Sequence, residues 1–266
     1  MHESNYKGWY VLTKLHPPLI RRHTVHRRNL EEMLRRSISN HALTLISAPA
    51  GYGKTTLLAS LPSLLPDYRV AWITLDDEDN DPVRFFHLLA AALGKLHPQC
   101  GQAVWPRISG GINSDTEAKK VVAALINDIV NHMSEPLVLV FDDLQFVTEP
   151  IVYMALDHLL EQRPANLRIA IGTRNDPALR LTRLAARRQL GELRRTELSL
   201  DQDQAQQLLN DILELDLSPS EIAVLLERTE GWPGALCLLA GPLGRMNDVE
   251  ERVQFVAALN HSERRV

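Results

Sequence analysis

The chain has 266 residues, 45% of them hydrophobic and 23% charged, with a formal net charge of −4. That is the make-up of a globular protein with a sizeable core, and it argues against a chain that is chiefly a basic nucleic-acid binder or carries an acidic tail. Cys100 and Cys237 fit no metal or redox spacing, the ten histidines are scattered, and no apolar run suits a signal peptide or a membrane span, so a cytoplasmic protein is expected.

Residues up to about Pro18 are polar and proline-bearing and are expected to be extended. In "TVHRRNLEEMLRRSIS", Val25, Leu30, Met33 and Leu34 fall at helical spacing, with Thr24 as the expected cap. "ALTLIS" (42–47) and "VAWITL" (70–75) are short apolar runs of buried-strand type, separated by the helical "TTLLASLPSLL". Asp81 and Pro82 are a cap and a first-turn proline, opening a helix to about Leu96. A glycine- and proline-bearing loop from Pro98 to Asn113 precedes a helix over 115–133. "PLVLVF" (136–141) is the most hydrophobic strand candidate. A helix through "YMALDHLLEQ", a strand "LRIAIG" (167–172) and a shorter strand near "RRTELSL" complete the alternation. Strands spaced by helices of this length predict an α/β domain with a parallel sheet flanked by helices on both faces. After Leu200 the strand signals stop. "DQDQAQQLLNDIL", "SPSEIAVLLERTEG" and "GALCLLAGPLGR", opening at "GWPG", read as helices of a small all-helical domain. The expected division is an N-terminal extension (1–24), an α/β domain (25–200) and the helical domain (201–266).

"SAPAGYGKTTLL" carries the chemistry. The pattern G-x-x-x-x-G-K-[ST] curls backbone N–H groups around phosphate oxygens, adds a helix N-terminus, and supplies a lysine for the β/γ-phosphates and a hydroxyl for Mg²⁺. Gly53, Lys54 and Thr55 fill its last three positions, but Ala48 stands where the first glycine belongs. Alanine suffices there if that residue has negative φ. The candidate phosphate-binding residues are thus Ala48, Pro49, Ala50, Gly51, Tyr52, Gly53, Lys54, Thr55 and Thr56. "LVLVFDD" delivers Asp142 and Asp143 at the end of an apolar strand, where open α/β sheets bind ligands. Asp142 is the candidate Mg²⁺ partner together with Thr55, and Asp143 the group that orients or deprotonates water. "IGTRNDP" presents Arg174 at the same edge, for a γ-phosphate or for a surface carboxylate. "ISGGI" (108–112) is similar to the signature loop of transport-type ABC ATPases. It lacks that loop's usual glutamine and is read here as a flexible connection.

"TKLHPPLIRRHTVHRRNLEEML", "SAPAGYGKTTLL", "WITLDDEDNDPVRF", "LVLVFDDLQFV", "GTRNDPALRLTRLAARRQLGELR" and "EGWPGALCLL" follow one another in this order. Together they resemble the N-terminal ATPase module of the large ATP-binding LuxR-type transcriptional regulators, the group of the bacterial maltose-regulon activator, which belongs to the signal-transduction ATPases with numerous domains. The resemblance runs from about Thr13 to Leu239. It implies a phosphate-loop NTPase domain followed by a small helical domain, ATP or ADP with Mg²⁺ as ligand, and slow hydrolysis serving a regulatory switch. It assigns Lys54, Asp143 and Arg174 to catalysis, and Val25, Arg27 and Pro233 to the adenine side. Pro233 equally suits simple helix initiation, and Val25 core packing. Inducer and DNA are expected partners only through regions that this chain lacks, and nucleotide-dependent self-association is expected of the active form. The "LDDEDNDP" stretch has no assigned chemistry, and Asp76, Asp77 and Asp79 are expected in a solvated loop with Asp81 as cap.

Overall fold

Leu43–Ser47 (β1) is buried along its whole length, as an apolar run of this kind must be when helices cover both faces of a sheet. It is preceded by Arg28–Asn40 (α1) and leads, through six loop residues, into Lys54–Ala59 (α2) and the short Leu61–Leu64 (α3). These positions come from a computed structural model, which describes residues 10–20, 24–246 and 252. The first nine residues of the expected N-terminal extension, residues 21–23, and the end of the expected helical domain from 247 on, Arg252 apart, lie outside the described residues.

The alternation then continues as Arg69–Thr74 (β2), Pro82–Leu96 (α4), Trp105–Ile108 (α5), Asp115–His132 (α6), Leu137–Asp142 (β3), Pro150–Gln162 (α7), Leu167–Thr173 (β4), Leu181–Ala186 (α8) and Leu190–Leu193 (β5). The strands form one parallel sheet in the order β2-β3-β4-β1-β5. In register, Ser47 faces Thr173 and Thr74 faces Asp142, so the carboxyl ends of four strands finish along one edge. β4 stands between the strand that enters the phosphate loop and the strand that carries the acid pair. Helix α4 starts where Asp81 accepts from the Arg84 N–H at 2.9 Å, with Pro82 in the first turn. Its Phe85 stacks on Phe141 of β3 at 5.6 Å.

Contacts divide the chain into two compact units. The first holds the sheet, most of α1, and the segment up to Leu19. The second comprises 20–30, Ala48–Gly53 and everything from Arg194 on. Its elements are Arg195–Leu198 (α9), Gln202–Gln206 (α10) running into a π-helical turn over Gln207–Ile212, Pro219–Thr229 (α11) and Pro233–Leu243 (α12). Leu209, Ile222, Leu225 and Leu236 form its core, with Val25 packed against them. Arg27 is built into the same unit. Its guanidinium donates to the carbonyls of Leu198 (2.8 Å), Glu197 (2.9 Å) and Ser199 (2.8 Å). We expect Arg27→Ala to lower unfolding stability by about 2 kcal/mol and Arg27→Lys to recover little of it, because an ammonium cannot reproduce the planar fork. Thermal unfolding of the two variants checks this.

Several sequence expectations shift. Thr24 does not cap α1, which begins only at Arg28, because Val25 and Arg27 ahead of it are engaged by the contacts just described. The last strand lies at Leu190–Leu193, upstream of "RRTELSL", whose Arg195–Leu198 is a helical turn held by Glu197 accepting from the Arg194 N–H at 2.8 Å. Gly191 obscures that strand in the sequence, yet glycine is required: a Cβ there would lie 2.0 Å from the Ser37 hydroxyl of α1. The N-terminal segment is not wholly extended, since Leu12–Leu15 forms a 3-10 turn that buries Leu15.

Asp79 is not solvated. It is fully buried, and Lys14 places its ammonium 2.6 Å from Asp76 and 2.5 Å from Asp79. Asp76 and Asp79 of "LDDEDNDP" thus fasten the N-terminal segment to the turn after β2.

His87 is buried on α4, edge-on to Trp105 at 4.5 Å and to Tyr10 at 5.4 Å. Burial, reinforced by nearby Arg84, lowers its pKa from 6.5 to about 4. The ring is therefore neutral when folded and protonates more readily in the unfolded chain. Its contribution is complete above about pH 6.5 and is lost as the pH falls toward 4. Between neutral pH and about pH 4, wild type should lose about 2 kcal/mol more stability than His87→Phe, read from urea unfolding at each pH.

Candidate functional site

Gly51 (φ +79°) and Gly53 (φ +77°) take the left-handed backbone that curls the loop after β1. Ala48 is not among the positive-φ residues, so the first motif position makes no demand for glycine. Lys54 opens α2 and is buried among charges. Burial lowers its pKa, opposed by Asp143 and Asp142, while Arg174 adds to the lowering. Thr55 hydrogen-bonds the Asp142 carboxylate, and Thr56 is exposed on the same helical turn.

Asp142 ends β3 and is 1% exposed. Its Oδ1 is buried with no hydrogen-bond partner, and burial raises its pKa to about 6, with the Asp143 charge adding to the rise against the Thr55 hydrogen bond. Gly172 of β4 makes room for it: a Cβ there would sit 2.8 Å from Asp142 Oδ1. Asp143 follows in left-handed conformation (φ 60°). The Gln145 amide donates to Asp143 Oδ1 at 2.7 Å, and its own oxygen accepts from the Arg174 N–H at 3.1 Å. The Arg174 guanidinium lies over the Phe146 ring, 5.9 Å from its centroid. Lys54, Thr55, Asp142, Asp143 and Arg174 are thereby gathered at one edge of the sheet. A cavity of about 610 Å³ opens beside them, bounded by Thr55, Thr74, Asp142 and Asp143 and by Lys14 and Pro17 of the N-terminal segment.

Ala48–Gly53 shares the second unit with Val25, Arg27 and Pro233. Pro233 occupies the first turn of α12, Val25 packs in the core, and the Arg27 guanidinium is engaged by backbone carbonyls. Sequence reasoning passed over three neighbours of the site: Gln145, Gly172 and Trp232, whose indole N–H donates to the Ala50 carbonyl at 2.9 Å. Each stands inside a quoted motif, which was the available signal.

The residues fit Mg²⁺ and a nucleotide. An orphaned, buried carboxylate oxygen with a threonine hydroxyl beside it is the donor set of a hard divalent cation, and positive-φ glycines leading into a buried lysine suit phosphate.

A parallel sheet with this loop after its β1 strand and this acid pair after β3 is a phosphate-loop NTPase fold. Residues 35–177, more than half of the chain, match the AAA-domain family model, and the chain belongs to that family. It is 32% identical to the HTH-type transcriptional regulator MalT of Yersinia enterocolitica over 95% of this chain and 27% of that protein. Against MalT of Cronobacter sakazakii the figures are 31%, over 86% and 25%. The chain therefore spans about a quarter of the length of these relatives. A Walker-type ATPase of Pyrococcus abyssi shares the fold, with a TM-score of 0.54 at 17% identity, covering 94% of this chain and 76% of that one. Among the described residues no helix is long and apolar enough to cross a membrane.

Proposed function

We propose that the chain is the ATP/ADP-binding switch module of a bacterial transcriptional regulator, acting in the cytoplasm, with slow Mg²⁺-dependent hydrolysis and nucleotide-dependent self-association. The observation that carries the reading is Asp142: a fully buried carboxylate with an unpartnered oxygen, next to Thr55 and one residue from Asp143. Similarity to the MalT regulators supports the regulatory part, and inducer and DNA recognition would belong to the parts of such regulators that this chain does not span.

In this reading the loop N–H groups and Lys54 hold the β/γ-phosphates, while Thr55 and Asp142 hold the metal. Bound Mg²⁺ would supply charge neutralisation on the phosphates. Asp143, oriented by Gln145, accepts a hydrogen bond from the attacking water and takes its proton. Arg174 stabilises charge that develops on the transferred group, once it leaves the Phe146 face. A switch of this kind needs different affinities in its two states, not fast turnover. Val25 and Pro233 would meet the base, with Arg27 fixing the backbone behind them.

The test is to purify the chain without added nucleotide, denature it, and identify what is released by chromatography, with Lys54→Ala alongside. Near-stoichiometric ADP from wild type alone supports the reading. A folded wild type that carries no nucleotide and fails to bind added ATP or ADP overturns it in favour of a scaffold. A turnover of many ATP per second would replace the switch by an ordinary ATPase.

A further inference from the structure

The "EGWPG" motif contributes more than its proline. The Trp232 indole N–H donates to the Ala50 carbonyl at 2.9 Å, and its ring stacks on Tyr52 at 6.2 Å and 17°. Glycines clear the way for it on both sides. A Cβ at Gly51 would lie 2.7 Å from the indole nitrogen, and one at Gly234 2.8 Å from it. The tryptophan is itself fixed from behind. Its backbone N–H donates to the Thr229 carbonyl at 2.9 Å, and the carbonyl of Gly231, at φ +70°, accepts from the Leu200 N–H at 2.8 Å, where a Cβ on Gly231 would strike the Leu200 carbonyl. Loop, indole and helix start all belong to one compact unit.

A trans peptide points its carbonyl and the following N–H in opposite directions. Fastening the Ala50 carbonyl to the indole therefore aims the Gly51 N–H to the other side of the loop. A flip of that peptide would turn the donor around, and the flip requires the indole bond to break. Because left-handed glycines make such a loop conformationally free, an external fastening has something to restrain.

We propose that Trp232 is the positioning residue of the phosphate loop: its indole holds Ala50 and Gly51 in the phosphate-receiving conformation before nucleotide arrives, and so sets how fast nucleotide leaves. This rests on the nucleotide reading above. It adds a control point: anything that moves the start of α12 would loosen the grip on the phosphates.

Two variants test it. Trp232→Phe keeps a ring and removes the donor. Gly234→Ala sets a methyl 2.8 Å from the indole nitrogen and 3.1 Å from the Gly51 Cα, so it presses on both partners of the contact, while alanine favours the helix it enters. The fluorescent ribose-ester analogue of ADP, chased with unlabelled ADP, should dissociate roughly three- to tenfold faster from both variants, the range expected for one lost hydrogen bond. The thermal stability of the nucleotide-free proteins should fall by no more than the loss of one hydrogen bond explains, whereas a merely structural role would leave dissociation at the wild-type rate. Should Trp232→Phe fail to fold, Gly234→Ala carries the test. Wild-type dissociation rates in the folded variants would overturn the proposal.

A wild type that binds no nucleotide would sink the nucleotide reading by itself. The clamp is then read from backbone ¹⁵N order parameters of Gly51, Tyr52 and Gly53 in the free protein. Lower values in the variants support it, and unchanged values overturn it.

Discussion

Asp143→Asn should lower ATP hydrolysis by roughly a hundredfold or more, the usual scale for loss of a general base, while nucleotide affinity stays within about threefold of wild type. The structure makes asparagine the informative replacement. Asp143 sits at φ 60°, where most residues are strained and Asn is tolerated, so the amide preserves the backbone that alanine would disturb. The Asn oxygen can still accept from Gln145, which leaves the Arg174 N–H contact in place. The substitution removes charge and basicity and little else. Single-turnover hydrolysis with Mg-ATP, beside an equilibrium titration of ADP, separates the two effects. Binding lost in a folded protein would reassign Asp143 to the metal or to structure.

The parallel sheet could be read from the chain because its interior strands are continuous apolar runs, and burial on both faces leaves them no other composition. β1, β2, β3 and β4 lie where those runs do. β5 does not, since the contact of Gly191 with α1 demands a glycine that erases the strand signal, and nothing local reports a contact made with residues about 150 positions upstream. Asp79 failed for a related reason. A run of acidic residues reads as solvated, and it takes Lys14 arriving from the N-terminal segment, with the Asp76 N–H and Arg84 beside it, to offset the cost of its burial.

At the candidate site the chemistry-bearing residues were visible because their spacing is local: Lys54 and Thr55 follow their glycines directly, and Asp142 and Asp143 end their strand. The residues that hold them were not. Gly172 gives Asp142 its space from a neighbouring strand, Gln145 joins Asp143 to the Arg174 loop, and Trp232 reaches Ala50 from 182 positions away. Ala48 needed only a backbone angle. It stands outside the positive-φ region, so the departure from the glycine pattern costs the loop nothing.

Lys54→Ala should weaken nucleotide binding by between roughly tenfold and a hundredfold, about 1.4 to 2.7 kcal/mol. The lysine is almost fully buried at the first turn of α2, and the charges bearing on it are Asp143, Arg174 and Asp142. In the nucleotide-free protein its charge partly offsets the two carboxylates. When phosphates arrive, the same ammonium meets a denser negative charge in a site shielded from water, where a charge-assisted hydrogen bond is stronger than at a surface. Alanine is a good helix former, so α2 should survive the change. Isothermal titration with ADP, with and without Mg²⁺, measures the loss. If the phosphates lie against this loop, affinity falls under both conditions, because the lysine acts on phosphate oxygens directly. An affinity unchanged in a folded variant would place the phosphates elsewhere and remove Lys54 from the site.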